Sequence, residues 1–303
     1  MSSSDRSWSH EGLGAAAYAA LSAGMPASEV WSLLLGVLEK RAATRTPANL
    51  RQQWKQDRFV QLCYVDQRTL VELDRHLLAA ASAFESVELS PLAPLGVSSA
   101  VALASQNKIV STVRGTEVVS DPTNVLALEC ARRLQADPTA HVRLVTSHRC
   151  VRAQALPKAP GFAAHFRMFA LVSAGHERES HSFLVESLTE HICTQLAALT
   201  RLEQHGYLFA ERKVQLLATA RFEKHAQRIA AGVDGAPVIH APLDHDYYDG
   251  LRFMISARAP GGGEIPFIDG GAFDWLHKLT SNHKMTYVAS AMGSQLAAYL
   301  FRK

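Results

Sequence analysis

The sequence predicts an α+β fold, a mainly antiparallel sheet flanked by helices, and three observations carry that prediction. Strand-like segments recur at 142–146, 164–172, 250–257 and 265–268, separated by irregular loops. Helical segments gather in blocks instead of alternating one for one with strands, which argues against a βαβ sheet. The generic catalytic signatures, including the phosphate loops of parallel folds, are also missing: there is no G-x-G-x-x-G, G-x-x-x-x-G-K-[ST], G-x-S-x-G or H-E-x-x-H.

The elements follow in order. Residues 26–41 place Val30, Leu34, Val37 and Leu38 on one face after Pro26 and Ser28, which predicts an amphipathic helix. The polar stretch 42–57 reads as a linker, so residues 1–57 are taken as an N-terminal helical extension with its linker, and 58–303 as the body. A helix from about Asp66 to Phe84 runs into a strand that stops at Ser90-Pro91. Asp121 followed by Pro122 predicts the start of a helix over 124–134. Stretches 180–204 and 208–231 read as a helical insertion, with Phe183, Leu184, Leu188, Ile192 and Leu196 on one face. Gly261, Gly262 and Gly263 fit a hairpin turn better than a phosphate loop.

Composition narrows the function classes. Lys plus Arg number 31 against 28 Asp plus Glu, so no global field points to nucleic acid or membrane. The four cysteines form no C-x-x-C pair and the 14 histidines no ligand spacing, which predicts reduced thiols, no metal site and a cytoplasmic protein. No basic leader or run of about 20 apolar residues is visible, so no membrane association is expected.

Order along the chain then supplies a resemblance. FESVELSPLAPLG (84–96) resembles motif 1 of the class II aminoacyl-tRNA synthetases, and RLVTSHRCVR (143–152) resembles motif 2, with HFRMFALVSAG (165–175) where its return strand falls. VVSDPT (118–123) is similar to the histidyl loop L-R-P-[ED]-x-T. DYYDGLRF (246–253) is similar to D-Y-Y-T-G-x-x-F, IDGGAFDWL (268–276) to G-G-R-Y-D-x-L, and VASAMGSQL (288–296) stands at motif 3. The resemblance implies a class II synthetase-like core of the histidyl-tRNA synthetase type and a homodimer built on motif 1. It also implies a substrate site of Asp121, Thr123, Arg152, Gln154, Tyr247, Tyr248, Gly270 and Gly271.

Departures from the pattern qualify the activity. Arg152 stands on the motif 2 arginine that would hold the α-phosphate of ATP, and Gln154 replaces the acid two residues later. The motif 3 arginine falls on Leu296, the R-G-L-D-Y-Y arginine on Leu243 and the G-G-R-Y-D arginine on Ala272. Each lost charged partner costs about 3–5 kcal/mol, which argues against ordinary adenylation. After motif 3 the sequence ends at Lys303 without an anticodon-binding domain. The expectation is a paralogue that binds an amino acid or nucleotide and regulates through a protein partner without charging tRNA, similar to ATP phosphoribosyltransferase regulatory subunits. The alternative is an ATP- and Mg-dependent ligase that activates an amino acid for a non-tRNA acceptor. Plainer readings stand beside these: Asp121 as a helix cap, Arg152 as a strand-end arginine, either tyrosine as core, and Asp269 and Asp274 as turn residues.

Overall fold

A computed structural model describes residues 14–155 and 161–303. It opens with α1 (Ala15–Ala19), a π-helical turn, α2 (Ala27–Ala43) and α3 (Pro47–Gln56). The expected linker therefore contains a helix. Thr46 caps it by accepting from the Asn49 amide while the Asn49 side chain accepts from the Thr46 amide, and Pro47 occupies the first turn. That reciprocal pair outweighs the segment's polarity. The predicted apolar face of α2 is only lightly packed, with Val30 buried and Leu34 half-buried but Val37 and Leu38 exposed.

After residues 57–66 come α4 (Gln67–Ala80), β1 (Glu85–Ser86), β2 (Leu92–Pro94), β3 (Thr116–Val118), α5 (Pro122–Ala136), β4 (Val142–Val151) and β5 (His165–His176). Then follow α6 (Ser182–Glu203), β6 (Ala210–Ala218), α7 (Glu223–Ala231), β7 (Val238–Pro242), β8 (Leu251–Arg258), β9 (Glu264–Phe273), α8 (Trp275–Thr280), β10 (Met285–Met292) and α9 (Ser294–Leu300). Eight strands form one sheet in the order β1-β4-β5-β10-β9-β8-β6-β7. Its interior pairs are antiparallel, and the edge pairs β1/β4 and β6/β7 are parallel. The α+β, mainly antiparallel expectation holds.

One expected element differs. Residues 208–231 are not continuously helical, because Ala210–Ala218 pair with β8 on one side and β7 on the other. The segment 180–231 thus contributes α6, a strand of the main sheet and α7. Val214 and Leu216, two residues apart, are buried together, which is the strand period.

Two apolar layers sandwich the sheet. On one face α4 and α6 bury Leu73, Leu77, Leu188, Ile192 and Leu199. On the other, α5 and α8 bury Leu126, Ala127 and Leu276 against Leu144, Val172 and Tyr287. The cleft opens on this second face. Among the described residues no helix is long and apolar enough to cross a membrane.

Candidate functional site

The site forms where α5 begins and β4 ends. Asp121 is the N-cap of α5, and its Oδ1 accepts from the Thr123 amide at 2.9 Å and the Thr123 hydroxyl at 2.7 Å. Its other oxygen accepts from Arg152 Nη2 at 3.2 Å. Arg152, one residue past β4, also donates Nε to the Ser120 carbonyl at 2.9 Å, and its guanidinium lies 5.1 Å from the Phe166 ring centroid. Asp121 thus caps α5 and also lines the cleft. The buried Tyr287 hydroxyl donates to the Thr123 carbonyl and pins the start of α5 onto β10.

The two tyrosines divide their work. Tyr248 is buried against Phe273 at 4.9 Å between centroids, whereas Tyr247 is 47% exposed and faces the cleft. Burial, reinforced by Asp121 near Tyr247 and Asp269 near Tyr248, pushes both phenols well above their ordinary range. Both stay protonated donors at neutral pH. Gly271 makes room for this packing: a Cβ there would lie 2.3 Å from the Leu251 carbonyl and 2.5 Å from the Tyr248 ring. A Cβ on Gly270 would meet Ser290 Cβ at 2.5 Å.

These residues line two adjoining chambers. The smaller, about 270 Å³, is walled by Asp121, Thr123, Arg152, Tyr247, Tyr248 and Gly270 among others. The larger, about 390 Å³, runs from Arg152 and Gln154 to Leu296 past Phe162, Phe166 and Phe267. Arg152, Met168, Asp269 and Ala291 belong to both. Of the predicted site residues, only Gln154 and Gly271 lie outside the smaller chamber's lining.

Sequence reasoning missed the pair that divides the chambers. Asp269 is not a turn residue; it lies within β9 and accepts from Arg252 Nε at 2.9 Å and Nη2 at 2.7 Å. Arg252 Nη1 lies 3.0 Å from His245 Nε2, and the guanidinium sits 5.2 Å from the Tyr248 ring centroid. The available signal was a lone arginine in the otherwise apolar run L-R-F-M-I. A second pair, Arg167 with Asp74 at 2.5 Å, joins β5 to α4. Burial raises the Asp74 carboxyl above its ordinary value, against the opposing pull of the Ser147 hydroxyl and Arg167.

Behind the sheet lies a sealed polar cluster. His191 on α6 places Nε2 3.0 Å from the Ser173 hydroxyl and Nδ1 3.0 Å from the Ser290 hydroxyl, tying α6 to β5 and β10. Burial drops the His191 pKa to about 3, so the ring is neutral. At the front, residues 58–64 cross the hairpin that joins β4 to β5. Arg58 Nη2 donates to the Gln154 carbonyl at 3.0 Å, His165 Nε2 donates to the Gln61 carbonyl at 2.7 Å, and the Tyr64 hydroxyl donates to the Gly161 carbonyl. Among the described residues no group of three or more His, Cys, Asp or Glu side chains could hold a metal ion.

With the sheet order and the cleft in view, comparison with known proteins defines the class: the chain has the class II aminoacyl-tRNA synthetase catalytic fold. Within that class the fold is similar to those of histidyl-tRNA synthetases and, at slightly lower scores of 0.56 and 0.55, of threonyl-tRNA synthetases. Apo histidyl-tRNA synthetase from S. aureus superposes with a TM-score of 0.59 at 14% identity, covering 80% of this chain and 68% of that one. A structure from Bacillus halodurans described as an ATP phosphoribosyltransferase regulatory subunit/histidyl-tRNA synthetase gives 0.58 at 13%, covering 79% and 81%. A histidine–tRNA ligase subunit from Alicyclobacillus acidocaldarius gives 0.58 at 14%, covering 84% and 96%. No family model and no curated protein matches the sequence.

Proposed function

We propose that the chain is a histidyl-tRNA synthetase-like protein that binds an amino acid in the smaller chamber and acts as a regulatory homodimer, through a protein partner, without charging tRNA. The observation that carries this reading is a split in the cleft. The elements that would grip a zwitterion are present, while the motif 3 position, an arginine in the pattern the chain resembles, is Leu296. Asp121 and Arg152 supply adjacent negative and positive groups. A ligand ammonium can share Asp121 Oδ2 while its carboxylate takes Arg152 Nη1, which bonds to no described residue. Leu296 lines the larger chamber, whereas Leu243 and Ala272 are buried in apolar surroundings and line neither chamber.

A Bacillus halodurans protein of this fold is described as an ATP phosphoribosyltransferase regulatory subunit/histidyl-tRNA synthetase, which supports a regulatory role. The ligase reading draws on the same retained Arg152 and Asp121. It requires ATP turnover, which pyrophosphate exchange measures directly, and the regulatory reading expects none.

The binding test is a thermal-shift screen of the twenty amino acids on the wild type, Asp121→Asn and Arg152→Ala. Asp121→Asn keeps the helix cap but loses the charge, so affinity should fall by about 1–3 kcal/mol. Absence of any amino-acid shift in the wild type, or equal shifts in all three proteins, refutes the reading.

A further inference from the structure

The arm formed by α2 and α3 carries apolar surface that the chain itself leaves uncovered. Eight of the eighteen exposed large apolar side chains among the described residues fall between Leu33 and Tyr64, a stretch of 32 residues in 303, so the exposure is concentrated there and not scattered. All ten residues of α3 are exposed, and among the described residues its side-chain hydrogen bonds reach no further than Arg45, Thr46 and Asp57. A helix this short is marginal alone; the Thr46–Asn49 cap holds its shape while its faces stay open. Helical spacing puts Leu50 and Trp54, 53% and 51% exposed, on one stripe and Arg51 and Lys55 on the next. On α2, Leu33, Val37 and Leu38 are exposed ahead of Lys40 and Arg41 in the last turn.

Charge selects the occupant. From Lys40 to Arg58 the sequence holds six Lys or Arg and one Asp, whereas from Asp66 to Gly96, the segment expected at the dimer interface, it holds five Asp or Glu and two Arg. A stable interface buries about 800 Å² per partner. Two copies of the acidic segment meeting alone would bring like charges together around three large exposed apolar side chains apiece, Val71, Leu92 and Leu95. The arm starts beside this segment: Trp31 lies against Gly115, whose carbonyl accepts from the Leu95 amide at 3.0 Å. A polynucleotide would match the cations but leave Leu33, Val37, Leu38 and Leu50 in water, and a membrane needs a broader apolar face than the two-residue stripe of α3. We infer that in the dimer the α2–α3 arm of each protomer lies across residues 66–96 of its partner, with Leu50 and Trp54 against the exposed apolar side chains and Arg51 and Lys55 among the carboxylates. The inference rests on the homodimer reading and adds to it what covers the arm.

The experiment places the photo-cross-linker benzoylphenylalanine at position 54 of the full chain, or at position 239 as a control, since β7 is the sheet edge opposite β1. Irradiation at micromolar concentration should join two chains from position 54, with the adduct mapping to residues 66–96 of the other chain, and should join none from position 239. Sedimentation measures the energetics in parallel. Leu50→Ser with Trp54→Ser, and separately Arg51→Glu with Lys55→Glu, should each raise the dimer dissociation constant about tenfold or more. All four side chains are exposed, and urea denaturation of the monomers should give the wild-type midpoint, which separates lost docking from lost folding. A wild-type dimer whose dissociation constant neither variant changes, or an adduct confined to one chain, overturns the inference and leaves the homodimer reading standing. A monomeric wild type removes both. Variants that dimerise normally but lose binding to poly(U) or to phosphatidylserine vesicles assign the arm to nucleic acid or membrane and overturn the inference as well.

Discussion

His191 makes the fold acid-sensitive, and the size of the effect can be worked from its surroundings. The ring is fully buried and holds two serine hydroxyls, and burial lowers its pKa from 6.5 to about 3. Above about pH 6.5 neither the folded nor the unfolded chain protonates this residue, and its neutral form costs nothing. Below that value the unfolded chain takes up a proton that the folded chain refuses, so stability falls as pH falls, towards the folded pKa. The slope is about 1.4 kcal/mol per pH unit, so acidification to pH 5 should remove about 2 kcal/mol through this one group. His76 and His148, also buried with lowered pKa values, act in the same direction. Urea denaturation of wild type and His191→Gln at pH 7.5, 6.5, 5.5 and 5 isolates the contribution. Glutamine can still donate and accept between the serines but does not titrate, so the variant's pH slope should be shallower by about one proton. Equal slopes would refute the argument.

Two further outcomes test the packing. Gly271→Ala should lower the denaturation midpoint by the equivalent of about 1–3 kcal/mol, because the new methyl group meets the Leu251 carbonyl, which cannot swing aside; an unchanged midpoint would mean the strands move apart freely. Sedimentation at micromolar concentration should show a dimer joined through the segment from α4 to Pro91, where Val71 is exposed and Leu92 follows, also exposed. A monomer would remove motif 1 as the interface.

The legible parts of the sequence were those fixed by local chemistry or by order. Asp121-Pro122 announced the start of α5, and the spacing from Arg143 to Arg152 located β4. What escaped depended on distant partners. The apolar residues of β6 fit a helix as well as a strand until β7 and β8 flank them. The Thr46-Pro47-x-Asn49 cap of α3 was readable but hidden by the polarity around it. The Arg252–Asp269 pair spans two strands, and only the register that sets Met254 opposite Asp269 brings the two side chains diagonally together. The direct contact of Asp121 with Arg152 likewise follows from how closely α5 meets the end of β4, a distance that no spacing encodes.

The three hydrogen bonds from residues 58–64 to Gln154, Gly161 and His165 have a thermodynamic consequence. Residues 58–64, where the body begins after the N-terminal extension, are tied to both flanks of the hairpin that borders the larger chamber. Whatever draws those flanks together also tightens the tie to residues 58–64. Where ligand entry into the cleft moves those flanks, reciprocity requires that a partner engaging residues 58–64 and the ligand alter each other's affinity by the same factor.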